Sequence, residues 1–243
     1  MNLNLQGLTV VVTGGSAGIG AAIVRTFAAE GCHVFFCARQ AQGVRHMVAA
    51  MNGSAGKVQG TVLDVADTPA FQAWLNDIGP IDVFVPAVSA LALDWDTTLA
   101  IDIKATVALT EAVIPQLSRS EHAAITYIGS KASSLAAPGS SSYGAAKAAM
   151  AHYMKSLSVR LLPSVRVNTV SPGDTLSEGG LWDKVKRDEP KRYLSVVQRN
   201  PMRRLATPDE IARVVAFISS PAASFVSGAN WYVDGGSTLH VQI

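Results

Sequence analysis

A chain of 243 residues, 49% apolar and 16% charged, suits one large α/β domain with a deep core. The formal net charge of +2 gives no case for nucleic-acid binding, which normally shows as a clustered basic footprint. No apolar run is long enough to span a bilayer, and MNLNLQG lacks a basic n-region and an apolar core, so a cytoplasmic protein without a secretion signal is expected.

The chain opens with a β-branched run over 8–13, a glycine turn and an Ala-rich helix over 18–30. Strands are then expected over 33–38, 57–63, 81–85, 123–129, 165–170 and 230–233, and helices over 42–51, 68–76, 96–118, 141–162 and 208–219. Strands such as VVVTG and VFFCA are apolar at consecutive positions, as they must be when helices cover both sheet faces. Regular alternation of strand and helix implies right-handed crossovers. The fold class is therefore α/β, a Rossmann-type doubly wound parallel sheet of about seven strands in a single domain over 1–243. The stretch 174–207 departs from this rhythm and reads as a substrate lid. Cys32 and Cys37 are the only cysteines. Five apart on a strand they face opposite sides, so two buried thiols in a reducing compartment are expected rather than a disulfide. His33, His46, His122, His152 and His240 show no metal-ligand spacing.

The first strand runs into Thr13-Gly14-Gly15-Ser16-Ala17-Gly18-Ile19-Gly20. Glycines at such a turn let the backbone approach a pyrophosphate, whose charge is favoured by the following helix N-terminus. Gly14, Ser16, Gly18, Ile19 and Gly20 are the expected contacts. The second strand ends Cys37-Ala38-Arg39, where an NAD-preferring site would carry an acid for the ribose 2′-hydroxyl. A guanidinium there can bond a 2′-phosphate bidentately, so Arg39 favours NADP(H) over NAD(H). After the third strand, Asp64-Val65 offers a carboxylate and an amide to an adenine edge; Asp64 reads equally well as a turn residue.

Tyr143 and Lys147 are four apart near the start of a strong helix, which puts them one turn apart on one face. Ser130 lies just past the fifth strand, at the carboxyl edge where ligands of open parallel sheets bind. Carbonyl reduction needs a proton donor, and alcohol oxidation needs the reverse. An ordinary phenol must be shifted by roughly three units, about 4 kcal/mol, to do this near neutrality. A neighbouring ammonium supplies part of that, and Lys147 can also bond ribose hydroxyls.

With these residues in hand, the chain resembles the short-chain dehydrogenase/reductase family over essentially its whole length, the 3-oxoacyl-carrier-protein reductases among its members. The resemblance rests on TGGSAGIG, LDV after strand three, GS ahead of YGAAK, RVNTVSPG, RRLATPDEIARVVAFISS and SFVSGANWYVDGG. It implies Ser130 orienting substrate, Tyr143 as acid/base and Lys147 tuning it. It also implies Pro172-Gly173 beside the nicotinamide, Ser177 near its carboxamide, and a homotetramer or homodimer. Two departures stand out. Where the family carries Asn-Asn-Ala-Gly, this chain reads Val85-Pro86-Ala87-Val88-Ser89, and the proline lacks a backbone donor. The fourth catalytic position, an asparagine in the family, aligns with Asp102. An ionised Asp102 about 6 Å from Tyr143 would oppose the lysine by about 3 kcal/mol at an effective dielectric near 20, unless Lys147 or water neutralises it.

The stretch 174–204 carries Lys184, Lys186, Arg187, Lys191, Arg192, Arg199, Arg203 and Arg204, only partly offset by Asp183, Asp188 and Glu189. A basic lid would draw in an anionic or carrier-bound substrate; a solvated helix face explains the same residues. Leu181, Trp182, Tyr193 and Leu194 offer apolar walls. The sequence thus points to an NADP(H)-dependent ketone reductase or alcohol dehydrogenase acting on a small molecule. Its rival is a catalytically weak dinucleotide-binding regulator, suggested by the altered loop and Asp102.

Overall fold

The computed structural model describes residues 2–241. Seven strands form one sheet in the order β3-β2-β1-β4-β5-β6-β7, every neighbouring pair parallel. They are β1 (Thr9–Thr13), β2 (His33–Ala38), β3 (Lys57–Val62), β4 (Val83–Pro86), β5 (Ala124–Ile128), β6 (Arg166–Pro172) and β7 (Asn230–Val233). The helices are α1 (Gly18–Ala29), α2 (Ala41–Ala50), α3 (Thr68–Ile78), α4 (Trp95–Thr98), α5 (Thr106–Leu117), α6 (Ser141–Leu161), α7 (Leu181–Asp188), α8 (Pro190–Arg199) and α9 (Pro208–Ser219).

Strand alternation divides the core into two clusters, one on each face of the sheet. Val10, Val12, Val34 and Phe36 pack with α1, α2 and α9, whereas Val11, Phe84, Ile125 and Tyr127 pack with α3, α5 and α6. The cysteines follow the same rule: Cys32 joins the first cluster and Cys37 the second, both as free buried thiols. Burial pushes each up to about 12, so neither is a thiolate near neutral pH. Chain order reverses between β1 and β4, which opens the crevice at the carboxyl edge where ligands of such sheets sit. No described helix is long and apolar enough to cross a membrane.

Two segments differ from the sequence expectation. The single helix expected over 96–118 is interrupted by a π-helical segment, Leu99–Ala105, between α4 and α5. Just past its end Thr106 Oγ1 donates to the carbonyl of Ile101 at 3.0 Å, and within it Asp102 is buried. Periodicity alone cannot register such a widened turn. The 174–207 stretch, expected as a lid with no helix bounds assigned to it, contains α7 and α8. Each buries one valine, Val185 and Val196, and Pro190 opens α8 at its first turn, where a missing N–H costs nothing. Its neck is closed by the Thr175–Ala206 bridge, with Ala206 N donating to Asp174 O and Leu176 N to Ala206 O.

Arg166 fastens the far side of β6. Its guanidinium donates to the carbonyls of Ile218, Ser219, Ser220, Ala223 and Val226, which collects the orphan carbonyls at the end of α9.

Candidate active site

The glycine turn lies between β1 and α1. Gly14 and Gly18 take φ of +74° and +54°, a backbone that disfavours any side chain. Gly14 N donates to Cys37 O at 2.8 Å, tying the turn to β2. A Cβ on Gly20 would collide with the carbonyl of Gly14, so the first turn of α1 can sit directly on the loop. Ala17 caps α1 without a side-chain hydrogen bond, and its first turn holds no acid. The amides there remain available to an anion, and the cradle fits a dinucleotide pyrophosphate.

Of the other expected cofactor residues, Ser177 meets this turn. Ser177 Oγ lies 3.8 Å from where a Gly18 Cβ would stand, so the start of the 174–207 excursion comes down on the turn. Ser16 borders Gly43 at the start of α2, and Ile19 is half-buried. Arg39 is exposed just beyond β2. Asp64 is exposed and accepts from Ala66 N at 2.9 Å, the geometry of a turn, while Val65 is buried. On the other side Val88 lies over Gly14, and Ala87 N donates to Thr13 Oγ1 at 3.1 Å. Pro86 pairs with Thr13 at the very end of β4, where its missing donor disturbs little of the ladder.

The chemical end is a buried cluster. Lys147, 2% exposed, donates to Tyr127 Oη at 3.0 Å and Ile128 O at 3.1 Å. Its ammonium stands 3.6 Å from Asp102 Oδ1 and 5.6 Å from the centre of the Tyr143 ring. Burial works against the charged lysine, but Tyr127, Tyr143 and Asp102 outweigh it and hold its pKa above the ordinary lysine range. Burial likewise raises Tyr127, and the ammonium only partly offsets this. Asp102 in turn accepts from Ser89 Oγ at 2.5 Å and Ala90 N at 3.0 Å. The two departures from the family pattern are therefore one bonded unit.

Ser130 is 9% exposed and accepts from Ala132 N at 3.1 Å, starting a short 3-10 turn. That turn abuts the start of α6, since a Cβ on Gly144 would stand 3.3 Å from Ala132 O. Tyr143, next to it, is half-buried. Beside Ser130, Lys131 pairs with Asp174 at 2.6 Å and reaches Ser237 at 3.3 Å, joining the β5 and β6 loops to the C-terminal tail. Pro172 is buried, and Gly173 packs so closely on Asp234 that a Cβ would stand 2.7 Å from its Cα. Asn200, at the end of α8, donates to Asp234 O at 3.0 Å.

Sequence reasoning missed Tyr127, Lys131 and Asp174, and the bond that joins Ser89 to Asp102. Tyr127 had a usable signal: alternation along β5 puts it on the Ile125 face, toward the helix that carries Lys147. The loop before α4 also went unread. Ser142 Oγ donates to Leu93 O at 3.1 Å, so exposed Leu91 and Leu93 stand near the start of α6. Of the basic residues over 174–207, Arg187, Arg192 and Arg204 are paired with Asp183, Glu189 and Glu210, and Lys186 lies over the Tyr193 ring.

Comparisons with known proteins agree with this architecture. Residues 14–238 match the family model described as "Enoyl-(Acyl carrier protein) reductase". The chain is 33% identical over 258 residues to isoepoxydon dehydrogenase of Penicillium expansum, covering 99% of this chain and 98% of that protein. It is likewise 33% identical over 254 residues to D-threitol dehydrogenase of Mycolicibacterium smegmatis, covering 98% and 95%. Among solved structures it resembles L-sorbose reductase from Gluconobacter frateurii complexed with NADPH and L-sorbose, with a TM-score of 0.91, 26% identity and 99% and 100% coverage. It also resembles a 7α-hydroxysteroid dehydrogenase complexed with NADH, with a TM-score of 0.90, 26% identity and 99% and 98% coverage. The seven-stranded parallel sheet, the glycine turn and these matches agree: this chain belongs to the short-chain dehydrogenase/reductase family of oxidoreductases.

Proposed function

We propose that the protein is an NADP(H)-dependent oxidoreductase that interconverts a ketone and a secondary alcohol, with Tyr143 as acid/base. The observation that carries this reading is the Tyr143 ring lying 5.6 Å from a buried ammonium, at the carboxyl edge that also bears the glycine turn. A bound nicotinamide dinucleotide supplies or accepts the hydride. Gly14, Ser16, Gly18, Ile19 and Gly20 hold its pyrophosphate, with Asp64-Val65 toward the adenine. Pro172, Gly173 and Ser177 border its nicotinamide end, as the resemblance implies. Arg39 supports the NADP(H) preference, because a guanidinium suits a 2′-phosphate; the relatives' structures include both NADPH and NADH complexes.

Ser130 orients the substrate oxygen by hydrogen bonding. Tyr143 Oη gives its proton to that oxygen during reduction and takes it back during oxidation. Lys147 stays charged, favours the phenolate and reaches the ribose hydroxyls. The 174–207 excursion acts as the substrate lid, with Leu181 and Leu194 as apolar wall residues. Substrates are small ketones or polyol-like alcohols, with 3-oxoacyl thioesters as a further class, and the working form is a homodimer or homotetramer by analogy with the family.

The test is a carbonyl panel followed by NADPH absorbance, containing ketoses, cyclic ketones and 3-oxoacyl thioesters. Tyr143→Phe is expected to lower kcat by about 10²–10⁴-fold. Arg39→Asp is expected to weaken NADPH by about tenfold or more and spare NADH. Dinucleotide binding with no oxidation across the panel would replace this reading with the regulator. An equal preference for NADH would remove the role given to Arg39.

A further inference from the structure

Lys147 does not face Tyr143 alone. Its ammonium is 5.6 Å from the centre of the Tyr143 ring and 3.6 Å from the carboxylate of Asp102, with the Tyr127 hydroxyl as a third neighbour at 3.0 Å. The Asp102 side chain is wholly buried and that of Lys147 is 3% exposed, so bulk water screens neither charge. Asp102 is also fixed from its other side: Ser89 Oγ and Ala90 N hold one carboxylate oxygen each. Next to Ser130, Lys131 is paired with Asp174 at 2.6 Å, so the two largely neutralise one another.

We propose that Asp102, anchored by Ser89, is a positioning residue that cancels much of the Lys147 field at Tyr143 and biases the enzyme toward carbonyl reduction at neutral pH. The proposal rests on the acid/base role given to Tyr143. The two directions need opposite forms of that phenol. In reduction, hydride adds to the carbonyl carbon and the neutral phenol gives its proton to the oxygen; the phenolate then regains a proton from solvent. In oxidation the phenolate must be present first to accept the hydroxyl proton. An isolated ammonium would favour phenolate, whereas an ammonium paired with a carboxylate does so far less. Neutral-pH reduction and alkaline oxidation follow from that pairing.

A direct experiment titrates phenolate absorbance near 295 nm, with Tyr143→Phe subtracted so that only the Tyr143 signal remains. It needs no turnover. Asp102→Asn, which keeps the shape and removes the charge, is expected to lower the midpoint of that signal by about one unit or more. The pH midpoint for alcohol oxidation should fall in parallel. Ser89→Ala, which removes the hydroxyl dipole that partly offsets the carboxylate charge, is expected to raise the phenolate midpoint by a few tenths in the wild-type background and not in Asp102→Asn. A midpoint unchanged or raised by Asp102→Asn overturns the proposal. So does a Ser89→Ala shift equal in both backgrounds, or absent in a variant of unchanged Tm. If the spectroscopic shift occurs yet no carbonyl is turned over by the wild type, the proposed function fails while the electrostatic role of Asp102 stands.

Discussion

The floor of the cleft and the 174–207 excursion beside it both carry charge, and they treat it in opposite ways. On the floor, Lys147 and Asp102 are almost completely enclosed, and each polar contact is made by an atom fixed in a strand, a π turn or the loop after β4. On the excursion, Arg192 and Glu189 pair at 3.0 Å with both side chains about half exposed, and Arg187 and Asp183 pair at 4.0 Å. A buried ion that loses its partner cannot turn to water; an exposed one can. The floor is therefore specified residue by residue, and the excursion mainly by its apolar contacts and its ends.

The sharpest break in that contrast is Lys147→Met. Beyond abolishing turnover, it strands the Asp102 carboxylate, at an expected loss of about 3–5 kcal/mol in stability. Adding Asp102→Asn should restore much of that loss without restoring activity. Denaturant unfolding of the wild type, both single variants and the double variant gives the coupling directly. Additive losses would mean that the two groups do not act as a pair and that the floor is no more demanding than the excursion.

An intermediate effect is expected at the end of the excursion, where α9 begins. Thr207 accepts from Glu210 N at 3.4 Å while Glu210 accepts from Thr207 N at 2.8 Å, a reciprocal cap. Thr207→Ala should cost about 1 kcal/mol, or roughly 2–4 °C in Tm. Hydrogen bonds from Arg204, then from the Thr207 amide, hold Glu210 down to about 2. Because the folded value lies below the unfolded one, the stabilisation is complete above the ordinary glutamate value of 4.5 and is lost as pH falls toward 2. The Tm difference between wild type and Glu210→Gln should be constant from pH 7 to about 5 and close below that.

The same contrast explains what the sequence disclosed. Apolar strands and the glycine turn were legible because backbone geometry imposes them locally: Gly14 and Gly18 adopt positive φ, and the two cysteines fall on opposite faces as strand alternation requires. The Tyr143–Lys147 spacing was legible for the same reason. Partners that converge from distant segments were not. Ser89 and Asp102 each read as a separate defect, because nothing in either local pattern says that a hydroxyl 13 residues away meets the carboxylate. The π segment was hidden because a helical periodicity carries on through it, and the pairing of Lys131 with Asp174 because it closes between two loops.

The smallest stability effects belong to the exposed pairs, and here the anionic-substrate idea meets its test. Replacing Arg192 or Arg187 by alanine should move Tm by less than about 2 °C, since half-exposed pairs are screened and hold flexible side chains in one place. Substrate capture is a different quantity. Lys184, Lys191 and Arg199 make no ion pair among the described residues, so their field can still act on an approaching anion. If the excursion steers substrate, kcat/KM for a carboxylated ketone should fall steeply between 50 and 500 mM salt, as the Debye length shrinks from ~14 to ~4 Å, and a Lys184→Ala/Lys191→Ala variant should flatten that fall. A neutral ketone measured alongside should show neither effect. Equal salt responses for the two ketones would leave the basic residues as a solvated helix face, and the walls of Leu181 and Leu194 as the part of the excursion that selects substrate.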